Sequence, residues 1–284
     1  MTRYVLVLTG RTNRERCDAF DLFAPFGMTV VVGPDALRVI GFDASCRDEA
    51  FALARRLGFD AALVPEGVRL SDYGALFFDM DSTLCNSETL DEMADILGVG
   101  DECARITADA MAGRITDYAA SLRARVALLK GMPADCIETV SGRMAPNPGV
   151  ETLLTAARAA GLKTYIVSSG FTILTERMRS RLSMTATCAN RIEIEDGRFT
   201  GRVFGPVDDV ILDASGKKAF VEKTMASLGL PLEKAICCGD GSNDVKMIDA
   251  SGLGVGFRPK EVLRPHCDVV LDVSGFDALL TALS

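Results

Sequence analysis

The chain has a single histidine, His266, among 284 residues. This disfavours any mechanism built on a histidine base or a cluster of histidine ligands, and leaves carboxylates, lysine and water to handle protons. Its nine cysteines include no Cys-x-x-Cys pair, and several, such as Cys237 and Cys238, sit inside apolar stretches. Reduced, mostly buried thiols are expected rather than disulfides or a zinc site. Runs rich in lysine and arginine are missing too, and the formal charge is −8. Phosphate-backbone binding relies on a basic surface, so no nucleic-acid partner is expected. A small phosphorylated substrate is a different matter, because one lysine, one arginine and a cation suffice to hold it. No apolar run approaches the roughly 20 residues needed to cross a bilayer. The opening residues carry neither a basic n-region nor a small-residue cleavage site. The expectation is a cytoplasmic protein with no membrane association.

What is present reads as an ordinary globular composition, 48% hydrophobic and 25% charged, long enough for one large domain or two smaller ones. Residues 1–70 form a small α+β unit in this reading. Apolar strands at 4–8, 28–32, 36–42 and 61–64 alternate with helical patterns at 14–23 and 48–57, and Gly33-Pro34-Asp35 marks a turn. The order predicts a βαββαβ, ferredoxin-like domain with a regulatory or dimerising role, so a homodimer is a further expectation. Residues 65–73 read as a linker to a second domain, 74–284.

That second domain opens on Gly74-Ala75-Leu76-Phe77-Phe78-Asp79-Met80-Asp81-Ser82-Thr83. Four apolar residues running into two carboxylates suit a strand buried on both faces, in a parallel sheet whose ligands bind at the strands' carboxyl ends. Along an extended chain the spacing of two points Asp79 and Asp81 to one side, with Thr83 beyond them. Taken alone, the same residues also describe a strand followed by an Asp/Ser turn. Helical patterns follow at 88–97, 102–111, 116–129 and 134–143, broken by glycines at 98, 100, 113 and 131. An insertion of this kind between two strands, about 86–145, predicts a helical cap over the strand end. Strand–helix alternation then resumes. A strand at 163–167 ends in Ser168-Ser169-Gly170, a hairpin is centred on Glu195-Asp196-Gly197, and a strand at 234–238 delivers Gly239-Asp240-Gly241-Ser242-Asn243-Asp244. The fold class is α/β, with a Rossmann-like parallel sheet.

Three strand ends therefore carry polar clusters, and Lys217 starts a helix near them in the chain order. The set suits phosphoryl transfer. A carboxylate such as Asp79 can attack phosphorus to form an aspartyl-phosphate, and Mg2+ on oxygens that Asp79 and Asp240 could provide would offset the repulsion between anions. Lys217 adds a fixed charge, and the hydroxyls and N–H groups of residues 168–170 hold phosphate oxygens. Asp81 protonates the departing alkoxide and then takes a proton from water. Each cluster alone also reads as a turn, a helix cap or a solvated lysine; only their order and chemical fit favour the catalytic reading.

These four segments resemble the four motifs of the haloacid dehalogenase-like phosphatases: Phe78 to Thr83 the first, Val167-Ser168 the second, Lys217 the third, and Gly239 to Asp244 the fourth. The similarity extends over residues 74–272 through Glu88-Thr89-Leu90-Asp91-Glu92, Ser121-Leu122-Arg123-Ala124-Arg125-Val126, Ala189-Asn190-Arg191 and Asp196-Gly197-Arg198-Phe199-Thr200-Gly201. It is to the branch of that family acting on phosphoserine, with a looser likeness of the first 70 residues to an ACT-like regulatory domain. The resemblance implies Mg2+ held by Asp79, Asp240 and the backbone carbonyl of Asp81, with Asp244 orienting metal-bound water. It also implies phosphate contacts from Ser168, Ser169 and Lys217, with Asn243 nearby. Glu88 would pair with a substrate ammonium and Arg125 with its carboxylate, while Tyr118 and Met111 wall the closed cap. The implied reaction is hydrolysis of O-phospho-L-serine; the alternative is a phosphatase or phosphotransferase for another small phosphomonoester. Ser169 stands where the family usually has glycine and Ser242 where alanine is common, and a serine at 169 would resist a left-handed backbone.

Overall fold

The computed structural model describes residues 3–111, 114 and 117–284; the side chain of Met111, together with Gly113 and Thr116, lies outside what is described. In chain order the first part runs β1 (Tyr4–Thr9), α1 (Asn13–Phe23), β2 (Thr29–Val32), β3 (Leu37–Phe42), α2 (Arg47–Leu57) and β4 (Asp60–Pro65). Strand β5 (Ala75–Phe78) follows, then the helices α3 (Thr89–Ile96), α4 (Gly100–Met111), α5 (Tyr118–Ala127) and α6 (Cys136–Arg143). Next come α7 (Val150–Ala159), β6 (Lys163–Phe171), α8 (Thr172–Arg181), β7 (Ala186–Glu195), β8 (Arg198–Phe204) and α9 (Ala214–Ser227). The chain closes with β9 (Ala235–Gly239), α10 (Val245–Asp249), β10 (Leu253–Phe257), β11 (Val269–Leu271) and α11 (Ala278–Ala282). Among the described residues no helix is long and apolar enough to cross a membrane.

One mixed sheet joins all these strands in the order β2-β3-β1-β4-β11-β10-β9-β5-β6-β7-β8. From β11 to β7 every neighbouring pair is parallel, the arrangement expected of an α/β core. β8 folds back antiparallel on β7 through a turn in which Asp196 (φ +49°) and Gly197 (φ +72°) are both left-handed, the geometry favoured in two-residue hairpins. At the other end β2, β3, β1 and β4 pair antiparallel.

The two parts of the chain meet inside the sheet. β4 pairs antiparallel with β11, and the buried Asp60 carboxylate accepts the N–H groups of Asp272, Val273 and Ser274 at 2.7–2.9 Å. Residues 65–73, expected as a linker, bury Leu70 and Tyr73. This junction is a long-range pairing, and short-range sequence patterns carry no trace of it.

β5 lies in the middle of the parallel region, between β9 and β6. Phe77 stacks on Tyr165 on one face of the sheet, with ring centroids 5.0 Å apart, while Phe78 meets Phe276 edge-on at 5.2 Å on the other. Burial on both faces explains the uninterrupted apolar run, each phenyl ring contributing about 1.5–3 kcal/mol. The rigid strand end fixes where Asp79 emerges. Of the helices described between β5 and β6, α3 to α6 occupy the span read as a cap, and the β7–β8 hairpin bonds to the segment joining α5 and α6: the N–H groups of Gly131 and Ala134 donate to the carbonyls of Phe199 and Gly197 at 2.7 and 2.9 Å.

Candidate active site

Asp79 sits one residue past β5, with its N–H bonded to the Cys238 carbonyl of β9 at 2.9 Å. The chain does not stay extended beyond it. Residues Met80–Leu84 curl into one tight turn, closed by Leu84 N–H on the Asp79 carbonyl at 3.1 Å, with Ser82 left-handed at φ +55°. Asp79 and Asp81 both line the cleft, but a turn brings them there and not the two-residue period of a strand. Thr83 points inward and donates to Asp240 Oδ1 at 3.4 Å.

Lys217, fully buried on the first turn of α9, places its Nζ 2.8 Å from both Asp79 Oδ1 and Asp244 Oδ1. Burial works against the ammonium's charge, but the carboxylates of Asp244 and Asp79 more than offset it and hold the lysine above its ordinary range. Asp79 Oδ1 also accepts the Met80 N–H at 2.7 Å, whereas its Oδ2 meets only the Asn243 amide, at 3.5 Å. One oxygen is pinned and the other is the less engaged. Burial pushes the Asp79 carboxyl well above the usual carboxylate range and Asp244 adds to that, while Lys217 opposes it.

Asp81 is raised to about 7, first by burial and then by the Glu88 carboxylate; the backbone N–H of Thr89, at 3.1 Å from Oδ1, pulls the other way. A carboxyl poised near neutrality suits a group that must give and then take a proton. Glu88 is exposed on the cleft wall and held by the Ser82 hydroxyl at 2.7 Å.

Asp79, Asp240 and Asp244 each offer a carboxylate oxygen within 4.8 Å of the others. An all-oxygen set of this kind fits a hard divalent cation. Asp244 has little capacity left: its Oδ1 holds Lys217 and its Oδ2 accepts the N–H groups of Asp240 and Gly241 at 3.0 and 3.1 Å. It locks the loop that presents Asp240. A Cβ at Gly239 would lie 2.4 Å from the Asp244 carboxyl carbon, so that packing demands glycine. Burial raises the Asp240 carboxyl, partly countered by Lys260.

On the next strand, Ser168 and Ser169 are buried, and the Gly170 N–H donates to Ser168 Oγ at 2.9 Å. Ser169 continues strand β6 and is not among the left-handed residues, so a side chain is accommodated there. The tighter position is 170, where a Cβ would lie 3.0 Å from Asp81 Oδ2 and Ser168 Oγ and would press on both. Asn190, fully buried on β7, fixes this strand end by donating to the Ser169 carbonyl at 2.8 Å and accepting the Leu212 N–H at 2.7 Å. Its place in Ala189-Asn190-Arg191 was the only signal for it.

Asp79, Asp81, Glu88, Ser168, Ser169 and Asp240 line one cleft of about 570 Å³ together with Tyr118, Arg125 and Lys260. Among the described residues the buried Nε of Arg125, from α5, has no hydrogen-bond partner, while the hydroxyls of Ser169 and Thr89 face Tyr118 and Asp81. A guanidinium nitrogen left in this way in the cleft is ready for a polar ligand. Asp79, Asp81, Glu88, Tyr118, Arg125, Ser168, Ser169, Asp240 and Asn243 all border this one space, and Lys217 and Asp244 brace it from behind, while the side chain of Met111 lies outside the described residues. Thr89 and Lys260 were not foreseen. Thr89 lay in a recognised segment without an assigned task, and Lys260 follows a strand that carries none of the four motifs.

A profile of the haloacid dehalogenase-like hydrolases matches residues 76–249. The chain is 44% identical over 214 residues, 75% of its length and 90% of the relative's, to a phosphoserine phosphatase of Albidiferax ferrireducens. Its structure is similar over 99% of both chains to a hydrolase of the same family from Salmonella enterica serovar Typhi, with TM-score 0.86 and 29% identity. It also resembles a phospho-aspartyl intermediate analogue of phosphoserine phosphatase, with TM-score 0.68 and 33% identity over 75% of this chain and 99% of that one. The strand-end carboxylates, the buried lysine and the profile agree: the chain belongs to the haloacid dehalogenase-like hydrolase family.

Proposed function

We propose that the protein hydrolyses O-phospho-L-serine to L-serine and phosphate through a phosphorylated Asp79, with Mg2+ as cofactor. The observation that carries this reading is the meeting, in one cleft, of a lysine-braced Asp79 with Glu88 and Arg125. The first supplies the reaction and the other two recognise an amino acid. Phosphoserine presents a phosphate, an ammonium and a carboxylate. Lys217 and the hydroxyls and N–H groups of Ser168 and Ser169 receive the first, with Asn243 beside them. Glu88 receives the second, and the guanidinium of Arg125 grips the third.

Lys217 and the Met80 N–H orient the Asp79 carboxylate, which attacks phosphorus as the bond to the serine oxygen breaks. Protonated Asp81 gives its proton to that oxygen. The Asp81 carboxylate then takes a proton from water, whose oxygen attacks the phosphorus, releasing phosphate and restoring Asp79. Asp79 and Asp240, with the backbone carbonyl of Asp81, are the groups assigned to Mg2+. When bound, it neutralises charge on the transferring phosphoryl group. Asp244 keeps Lys217 and the Asp240 loop in place behind them.

Residues 1–70 are read as a separate ferredoxin-like or ACT-like unit with a regulatory or dimerising role. The antiparallel order β2-β3-β1-β4 with two helices supports this, and the exposed Met28 and Val31 near and on the edge strand support pairing with a second copy. Nine free thiols fit a reducing, cytoplasmic setting.

Phosphate release from a panel of phosphoserine, phosphoethanolamine, 3-phosphoglycerate and p-nitrophenyl phosphate tests the substrate. Phosphoserine is expected to show the highest kcat/KM, and excess EDTA to abolish turnover until Mg2+ is restored. A better rate with either one-handled analogue would remove the amino-acid reading, and full activity in EDTA would remove the metal.

A further inference from the structure

Lys260 reaches the acidic cluster from β10, a strand outside the four motifs. After β10 ends at Phe257, Arg258 takes a left-handed backbone, φ +44°, with its N–H on the Leu271 carbonyl at 2.8 Å. A non-glycine residue held there must be fixed by its surroundings. The turn brings the chain back over the end of β9, where the Lys260 N–H donates to the Asp240 carbonyl at 2.8 Å and Nζ lies 3.1 Å from Asp240 Oδ2. A backbone bond and a side-chain bond to the same residue seat the ammonium on that carboxylate.

The two lysines of the cluster differ in freedom. Lys217 is enclosed between Asp79 and Asp244, whereas the Lys260 side chain is 62% exposed and lines the cleft beside Glu88 and Asn243. Its long stem can carry the charge aside at little cost. A divalent cation on Asp240 and an ammonium on the same carboxylate compete for it and repel each other.

We propose that Lys260 is the exchangeable counter-ion of the metal site, holding Asp240 in the metal-free protein and giving way to Mg2+ at the expense of Mg2+ affinity. This rests on the reading of Asp240 as a Mg2+ ligand. The lysine thereby lowers the net negative charge of the bare acidic cluster, and once displaced it stands at the cleft, where an anionic substrate enters.

Isothermal titration of Mg2+ into chelator-treated, substrate-free protein at low salt tests it on wild type, Lys260→Gln, Lys260→Met and Lys260→Arg. Removing one unit charge a few ångströms from a divalent ion in a solvent-like dielectric should tighten Mg2+ binding about 5–15-fold in the two neutral variants. Lys260→Arg should stay within about twofold of wild type, since the charge remains. Neutral variants that bind Mg2+ equally or more weakly, while melting at the wild-type temperature without metal, would overturn the counter-ion role alone. A wild type that binds no Mg2+ would overturn the metal reading and this inference with it.

Discussion

Asp79→Asn should lower kcat for phosphoserine by at least about 10⁴-fold, the scale on which losing a covalent nucleophile is felt. The amide is nearly isosteric with the carboxylate, so it preserves the packing at the end of β5 while removing the attacking oxygen. Lys217 keeps Asp244 as its partner at 2.8 Å, so the buried ammonium is not left uncompensated. The variant should therefore fold with an unchanged circular dichroism spectrum and a melting temperature within a few degrees of wild type. Stopped assays at high enzyme concentration set the detection limit. A folded variant that keeps more than about one hundredth of the wild-type rate would end the case for Asp79 as nucleophile.

The second large effect is one of recognition. Arg125→Ala should reduce kcat/KM for phosphoserine by about 10–150-fold, the worth of a hydrogen bond to a charged group. Phosphoethanolamine, which carries phosphate and ammonium but no carboxylate, should lose less than about threefold. The contrast matters because Arg125 packs in the cap beside Tyr118 and Leu122, and a general loosening of the cap would harm both substrates alike. Its Nε, without a partner among the described residues, is the structural reason to expect a ligand there. Equal losses for the two compounds would reduce Arg125 to a packing residue.

Much of this site was legible before the fold was known, for physical reasons. A strand buried on both faces has to be apolar throughout, so residues 75–78 announced a central position and Asp79 announced the strand's end. Glycines and charges in 3.6-residue patterns outlined the cap helices, and Asp196-Gly197 outlined the hairpin. What escaped was set partly by the choice between strand and turn and partly by contacts remote in sequence. The turn at Met80–Leu84 is closed by local bonds, Leu84 N–H on the Asp79 carbonyl and Cys85 N–H on that of Met80, so the extended chain expected through Asp81 and Thr83 gives way to the Asp/Ser turn that the same residues also describe. The concern over a side chain at 169 dissolves because Ser169 stays in β6, and the spatial demand falls on Gly170, next to Asp81. Lys260 depends on the strained turn at Arg258, and the β4–β11 pairing joins residues some 200 positions apart. Neither of these last two has a local signature.

The central claim is a phosphoryl group on Asp79, and the direct measurement is to trap it. Wild-type protein mixed with ³²P-labelled phosphoserine and Mg2+, quenched in acid within milliseconds and digested, should yield a labelled peptide. Fragmentation mass spectrometry should place the phosphate on Asp79 and not on Asp81, and Asp79→Asn should yield no label. Turnover without a labelled protein species at any quench time, or phosphate located on another residue, would contradict the account.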